Sequence, residues 1–371
     1  MSSAVVERLE VFGYELTYAH GVYSMSAGRD VDALESTVVV LTASDGTRGY
    51  GETCPLGANY LPAFALGARA ALRELAPAVL GADACNPAGL STALDSVLAG
   101  HLYAKSAVEI AAFDLFGRLS GVPVSALLGG VRSPQFPLYV AVPLASPDEM
   151  VAFVLAERAR GIHRFQLKIG ADPLEDAQRV GAVVEATASD DVIVADANGG
   201  YRLRAALVAA RYFEPLPRVY FEQPCPTLGE CIQLRRMTSL PIILDEVITE
   251  VGSLLQAHAA GAMEGVNIKL NRVGGLGRAR LMREICENLG LGVTLEDSWG
   301  GDVTTAAVSH LAATAAPEAL LMASFMNDWT NEHIAGYEPR SRNGFGTAPS
   351  GPGLGVDVDL GALKPLWSWP A

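Results

Sequence analysis

The chain has 371 residues, half of them hydrophobic and 18% charged, with a net charge of −14 at pH 7. This composition excludes a disordered chain. The acidic balance, with no Lys/Arg block, argues against nucleic acid or an anionic membrane as partner. The length exceeds one small core and suits a barrel of about 250 residues plus a second domain of about 100.

In chain order, residues 4–16 and 36–43 (STVVVLTA) are β-branched and partly alternating, and predict strands. GVYSMSAGRD lies between them as an expected loop. SDGTRGYGE closes a hairpin and runs into the irregular GETCPLGANYLP. Apolar residues then recur at three- and four-residue steps, predicting helices over 63–79, about 91–99 and 104–120. Strands followed by helices indicate an α+β domain over 1–130.

From 137 the rhythm changes. Strands are predicted near 137–142, 164–168, 191–196, 218–222, 241–245, 264–269, 291–296 and 319–323. Amphipathic helices fall between them, as over 173–187, 203–213 and 274–289. Eight strands at a regular period indicate a (β/α)8 barrel over 131–344. No GxGxxG opens a helix after a strand, so a dinucleotide fold lacks its fingerprint. The Gly/Pro-rich tail, 345–371, is expected to pack back on the first domain.

Five strands end in a polar residue: Lys168, Asp196, Glu222, Asp245 and Lys269, at successive steps of 28, 26, 23 and 24 residues. In a barrel these ends converge on one mouth, where catalysis sits. Three carboxylates without His or Cys suit Mg²⁺, a hard cation that keeps positions open for substrate oxygens. One carboxylate alone more often caps a helix; three in succession at strand ends favour the metal site. Lys168 and Lys269, from the second and sixth strands, face each other. A lysine beside a dication and a second ammonium is expected to have a depressed pKa and to act as a base. The set suits removal of a proton α to a carboxylate, with the dication stabilising the enediolate.

These residues and their surroundings (QLK, ADAN, FEQPC, LDE, IKLNRVGG) resemble the enolase superfamily, muconate-lactonizing subgroup, over nearly the whole chain. The resemblance implies a modified (β/α)8, TIM-like barrel with an α+β capping domain, an α/β fold overall. It also implies Mg²⁺ on Asp196, Glu222 and Asp245, lysine bases at 168 and 269, and a homo-oligomer. The family's second-strand motif is Lys-x-Lys, and here Gln166 replaces the first lysine. GETCPLGANYLP, GHLYAKSAVEIAAFDL and LEDSWGGD resemble hydroxyproline betaine epimerases and cis-3-hydroxy-L-proline dehydratases. For a betaine, Phe325 or the nearby Trp329 would supply the aromatic face. Asp297 is read as a partner for a substrate ammonium or as a helix cap. Tyr23 and Tyr60 are read as specificity residues, Asn198 as support for the metal, and Asn271 as a further group facing the mouth. His310 reads as core, and His101 and His333 as bystanders.

The expected partner is a small carboxylate. The leading expectation is two-base racemisation or epimerisation of a proline-type amino acid. The alternative is syn loss of water from a β-hydroxy amino acid such as cis-3-hydroxy-L-proline. A Schiff-base lyase would leave the carboxylates without a purpose. Five cysteines in no metal-binding pattern, an opening segment without a signal-type apolar core, and no run near the ~20 residues of a membrane span fit a cytoplasmic protein.

Overall fold

The computed structural model describes residues 4–370; residues 1–3 and 371, which fall in the expected N-terminal domain and its returning tail, lie outside it. An N-terminal four-stranded antiparallel sheet is built from Val6–Thr17, Ala33–Ala43, Arg48–Thr53 and the tail strand Lys364–Trp369, which pairs with Val6–Thr17. The run Val38–Leu41 is fully buried, as a strand covered on both faces must be. The helix Leu102–Ser120 lies against the third of these strands. A Cβ at Gly51 would sit 1.9 Å from the Ala107 carbonyl, so only glycine lets the helix approach this closely.

Eight parallel strands follow: Val140–Val142, Arg164–Lys168, Val192–Asp196, Val219–Glu222, Ile242–Leu244, Gly265–Lys269, Gly292–Glu296 and Leu320–Ala323. They pair in sequence order. A parallel bridge from Leu138 to Ala323, with Tyr139 N donating to Ala323 O at 3.1 Å, closes the ring. Helices cover its outside, and some of their starts carry side-chain caps. Ser146 and Glu149 form a capping box, and Asp172 accepts from Leu174 N and Glu175 N.

Four local expectations change. Residues 137–142 are not one strand: Phe136–Pro137 pairs with Phe345–Gly346, and the barrel strand is Val140–Val142, preceded by the Leu138 bridge. The expected loop GVYSMSAGRD contains a ribbon, Tyr23–Met25 against Arg29–Val31. The second helix begins at Pro87 rather than about 91, because Asn86 accepts from Gly89 N and proline suits the first turn. The helix after the seventh barrel strand is Asp302–Ala313, with Gly301 at its N-cap, so Asp297 does not cap it.

Candidate active site

Side chains alternate in and out along a strand, and register sets which of them share a level. Lys168 pairs in register with Asp196, Asp196 with Glu222, and Lys269 with Glu296. Lys168, Asp196, Glu222 and Lys269 are the last residues of their strands, and Asp245 is one past Leu244. All five are buried. The period of two also turns Gln166 inward below Lys168, and Asn267 inward below Lys269.

Lys168 Nζ lies 2.5 Å from Asp196 Oδ2, and Lys269 Nζ lies 3.0 Å from Asp245 Oδ2 and 3.3 Å from Glu296 Oε1. Arg272 Nη1 donates to Asp245 Oδ1 at 2.5 Å. Gln166 Nε2 and Asn267 Nδ2 donate to the two oxygens of Glu222, at 2.9 and 2.8 Å. Asn198 donates to Asp196 through its backbone and its side chain, at 2.8 and 2.9 Å, and to Glu246 at 3.1 Å. The Tyr60 hydroxyl donates to Glu246 at 2.7 Å and accepts from Lys269 at 3.3 Å.

The electrostatics follow from burying this much charge. Burial, then Asp196 and Asp245, push Glu222 up to about 8. Burial, then Asp245 and Asp196, push Glu246 up to about 7. Burial works against ionised Asp245, but Arg272 and Lys269 outweigh it and hold this carboxyl down at about 2. Burial also opposes the Lys168 ammonium, yet Asp196, Tyr23 and Glu222 prevail and hold it above its ordinary value. Carboxylates are the nearest charges to Lys168 among the protein's own groups, whereas the depression expected from sequence depends on a dication and a second ammonium beside it.

A small cavity opens over these groups, lined by Lys168, Lys269, Gln166, Asn198, Glu296 and Asp297, with an aromatic wall above. Tyr23 and Tyr60 reach it from the N-terminal domain, and Tyr139, Trp299 and Trp329 complete the wall. The Tyr23 and Trp299 rings meet edge to face at 5.3 Å, and Trp299 and Trp329 at 5.9 Å. Asp297 Oδ1 accepts from Asn271 N at 3.0 Å and Ser298 N at 2.7 Å, while its buried Oδ2 has no partner. Burial raises Asp297 to about 7 against those hydrogen bonds and Lys269.

Phe325 is the site residue that the structure moves elsewhere. It packs on Phe136 at 5.9 Å and faces a separate pocket behind Tyr139 and Trp329. The strand turns into the Met326–Trp329 helical turn there, which brings Trp329, not Phe325, to the lysines. Asn271 lines a neighbouring apolar pocket instead. His101 contacts Tyr103, and His333 stacks on Tyr337; neither lines the lysine cavity.

Asp196, Glu222 and Asp245 offer only oxygen donors, on adjacent strands. Their oxygens do not all lie within 4.8 Å of one another; among the described residues the group that meets this test is His163, Asp190 and Asp191. The reason is visible in the contacts: Lys168 draws Asp196, Arg272 and Lys269 draw Asp245, and two amides hold Glu222. Two buried oxygens beside them, Asn198 Oδ1 and Glu246 Oε2, lack any donor. Uncompensated acceptors and mutually opposed carboxylates are what a hard cation relieves, so the donor set fits one.

Residues 22–129 match the mandelate racemase/muconate lactonizing enzyme N-terminal domain, and residues 149–362 match the enolase C-terminal domain-like family. The chain is 40% identical to a cis-3-hydroxy-L-proline dehydratase of Roseibium aggregatum over 95% of each protein. It is 31% identical to an N-succinylamino acid racemase of Thermus thermophilus over 88% of each. A solved enolase-superfamily member of Roseovarius nubinhibens, complexed with magnesium, superposes with a TM-score of 0.92 at 34% identity, covering 99% of this chain and 100% of that one. With both domains matched and the barrel-mouth residues in place, this chain belongs to the enolase superfamily.

Proposed function

We propose that the protein removes the proton α to the carboxylate of a proline-type amino acid and expels a β-hydroxyl as water, with cis-3-hydroxy-L-proline as the reference substrate. The observation that carries this is the pair of lysines entering one small cavity from strands four places apart. The similarity to a dehydratase at 40% identity, against 27% and 31% for two racemases, supports elimination over racemisation, the reverse of the order expected from sequence.

In the cis isomer the hydroxyl and carboxyl share one ring face, so the α hydrogen is on the other. The two groups therefore leave anti, not syn as expected from sequence, and bases on opposite faces suit that geometry. The lysine facing the α hydrogen takes it as a free amine. The C2–H electron pair becomes the C2–C3 double bond as C3–O breaks, and the opposite lysine, as ammonium, donates a proton to the departing oxygen. Water and a cyclic enamine result, and the enamine tautomerises to an imine. Asp297 Oδ2, a buried acceptor without a donor, receives the substrate ammonium. Mg²⁺ held by Asp196, Glu222 and Asp245 would bind the substrate carboxylate and offset the charge that builds there as the proton leaves.

Incubation of cis-3-hydroxy-L-proline with the protein and Mg²⁺, followed by mass spectrometry, tests this. Loss of 18 mass units with formation of a cyclic imine is expected. Recovery of substrate whose only change is α-deuteration in D₂O would restore racemisation as the reaction. Unchanged substrate without deuterium would overturn the reading.

A further inference from the structure

The two lysines are not equivalent. Lys168 forms an ion pair with Asp196 and lies under the Tyr23 ring at 5.9 Å. Lys269 has a second carboxylate, Glu296, from the neighbouring strand. Glu296 is 3% exposed, and both its oxygens are engaged. Oε1 accepts from Asn267 Nδ2 and lies 3.3 Å from Lys269 Nζ, and Oε2 accepts from the Tyr139 hydroxyl. Asn267 also donates to Glu222, so Glu296 is tied into the wall of the barrel at three points. A buried carboxylate is costly unless so satisfied. With both oxygens committed to protein donors, it is poorly placed to receive substrate.

We infer that Glu296 is a positioning residue for Lys269, holding its Nζ over one face of the substrate while leaving the Lys168 face untouched. This rests on the two-face reading above. The other neighbours of Lys269 cannot do the same: Asp245 belongs to the oxygen donor set, and Tyr60 sits on a loop of the other domain. Without Glu296 the four-carbon stem of Lys269 regains rotamers, and a displacement of about 1 Å in a reacting group costs roughly 100-fold in rate.

The test is α-proton exchange of L-proline and of D-proline in D₂O with Mg²⁺, followed by NMR. Proline lacks the β-hydroxyl, so exchange is isolated from elimination, and each enantiomer reports the lysine on its hydrogen face. Lys269→Ala identifies the enantiomer that Lys269 serves. Glu296→Gln is expected to slow exchange of that enantiomer by about 10- to 100-fold, with the other enantiomer exchanging at the wild-type rate. That second rate also shows that the variant is folded and metal-loaded. Equal slowing of both enantiomers, or of neither, overturns the assignment. Exchange of neither enantiomer by the wild type removes the proline reading itself, and this inference with it.

Discussion

Lys168 and Lys269 end the second and sixth strands of one eight-stranded parallel barrel and line the same cavity. Strands four apart in a ring of eight are diametrically opposed, so the two amines approach a bound molecule from opposite sides. Replacing either by alanine is expected to lower dehydration by about 10²- to 10⁴-fold, the usual loss for a general acid or base. Thermal stability should fall as well, because each alanine leaves buried carboxylates without their ammonium partner, so rates are compared where each variant remains folded. The two variants should differ in exchange: the one lacking the base loses α-deuteration, while the one lacking the acid still deuterates its substrate without losing water.

Asp245 carries two burdens, since it is a proposed metal ligand and the partner of buried Arg272 at 2.5 Å. Asp245→Asn leaves that guanidinium without its counter-charge, which costs about 3–5 kcal/mol of stability. Chelation of the wild type removes activity without that cost, and added Mg²⁺ restores it. Urea unfolding of the variant beside that of the chelated wild type separates the two effects; equal midpoints would contradict the Arg272 account.

Gln166 stands where the family's first lysine is usual, and donates to Glu222 Oε2. Gln166→Leu preserves bulk but leaves that buried oxygen without a donor, a penalty of about 1–3 kcal/mol. Weaker Mg²⁺ stabilisation is also expected, because Glu222 loses one of the two amides that orient it. Thermal shift with and without Mg²⁺ measures both.

The N-terminal domain is locked to the barrel at Glu52. Its Oε1 accepts from Ser36, Tyr14 and Gly301 N, and its Oε2 accepts from Thr304 N at 2.9 Å. A carboxylate is thereby placed at the N-terminus of the helix Asp302–Ala313, where the dipole favours it. Glu52→Ala should cost about 2–4 kcal/mol, given that hydrogen bonds to a charged group contribute more than neutral ones. Glu52→Gln should cost less. Activity should fall with the alanine variant, since Tyr23 and Tyr60 reach the cavity from this domain.

The barrel and its five strand-end residues were legible because a short apolar run ending in a charge is hard to reconcile with an ordinary buried strand. Asn267 lies on the same face by the period of two from Lys269, but a neutral amide within a strand is a weaker signal than a charge at its end. Glu296 was hidden by its neighbour: in VTLED two acids adjoin, and only the end of the strand decides which one faces inward. Arg272 follows Lys269 by three residues in a short helix, and its pairing with Asp245 is a tertiary fact with no periodic signature. Trp329 rather than Phe325 faces the lysines for a similar reason: both follow the eighth strand, where the chain leaves strand geometry and no alternation applies.

His310 was read as core, and its contacts fix its state. Nδ1 faces the Ser125 N–H at 3.2 Å, and Nε2 faces the Leu354 carbonyl at 3.1 Å. One nitrogen must accept and the other donate, so the ring is neutral and of a single tautomer. Burial lowers its pKa from 6.5 to about 4 against the Leu354 hydrogen bond. Between those two values the unfolded chain binds a proton here that the folded chain does not. Stability therefore falls as pH drops through this window and is recovered as pH rises above about 6.5, with a total contribution on the order of 3 kcal/mol. His310→Gln keeps an acceptor and a donor but does not titrate. Urea midpoints at pH 7 and pH 5 should differ less in the variant than in the wild type, and equal differences would show that His310 does not set the acid sensitivity.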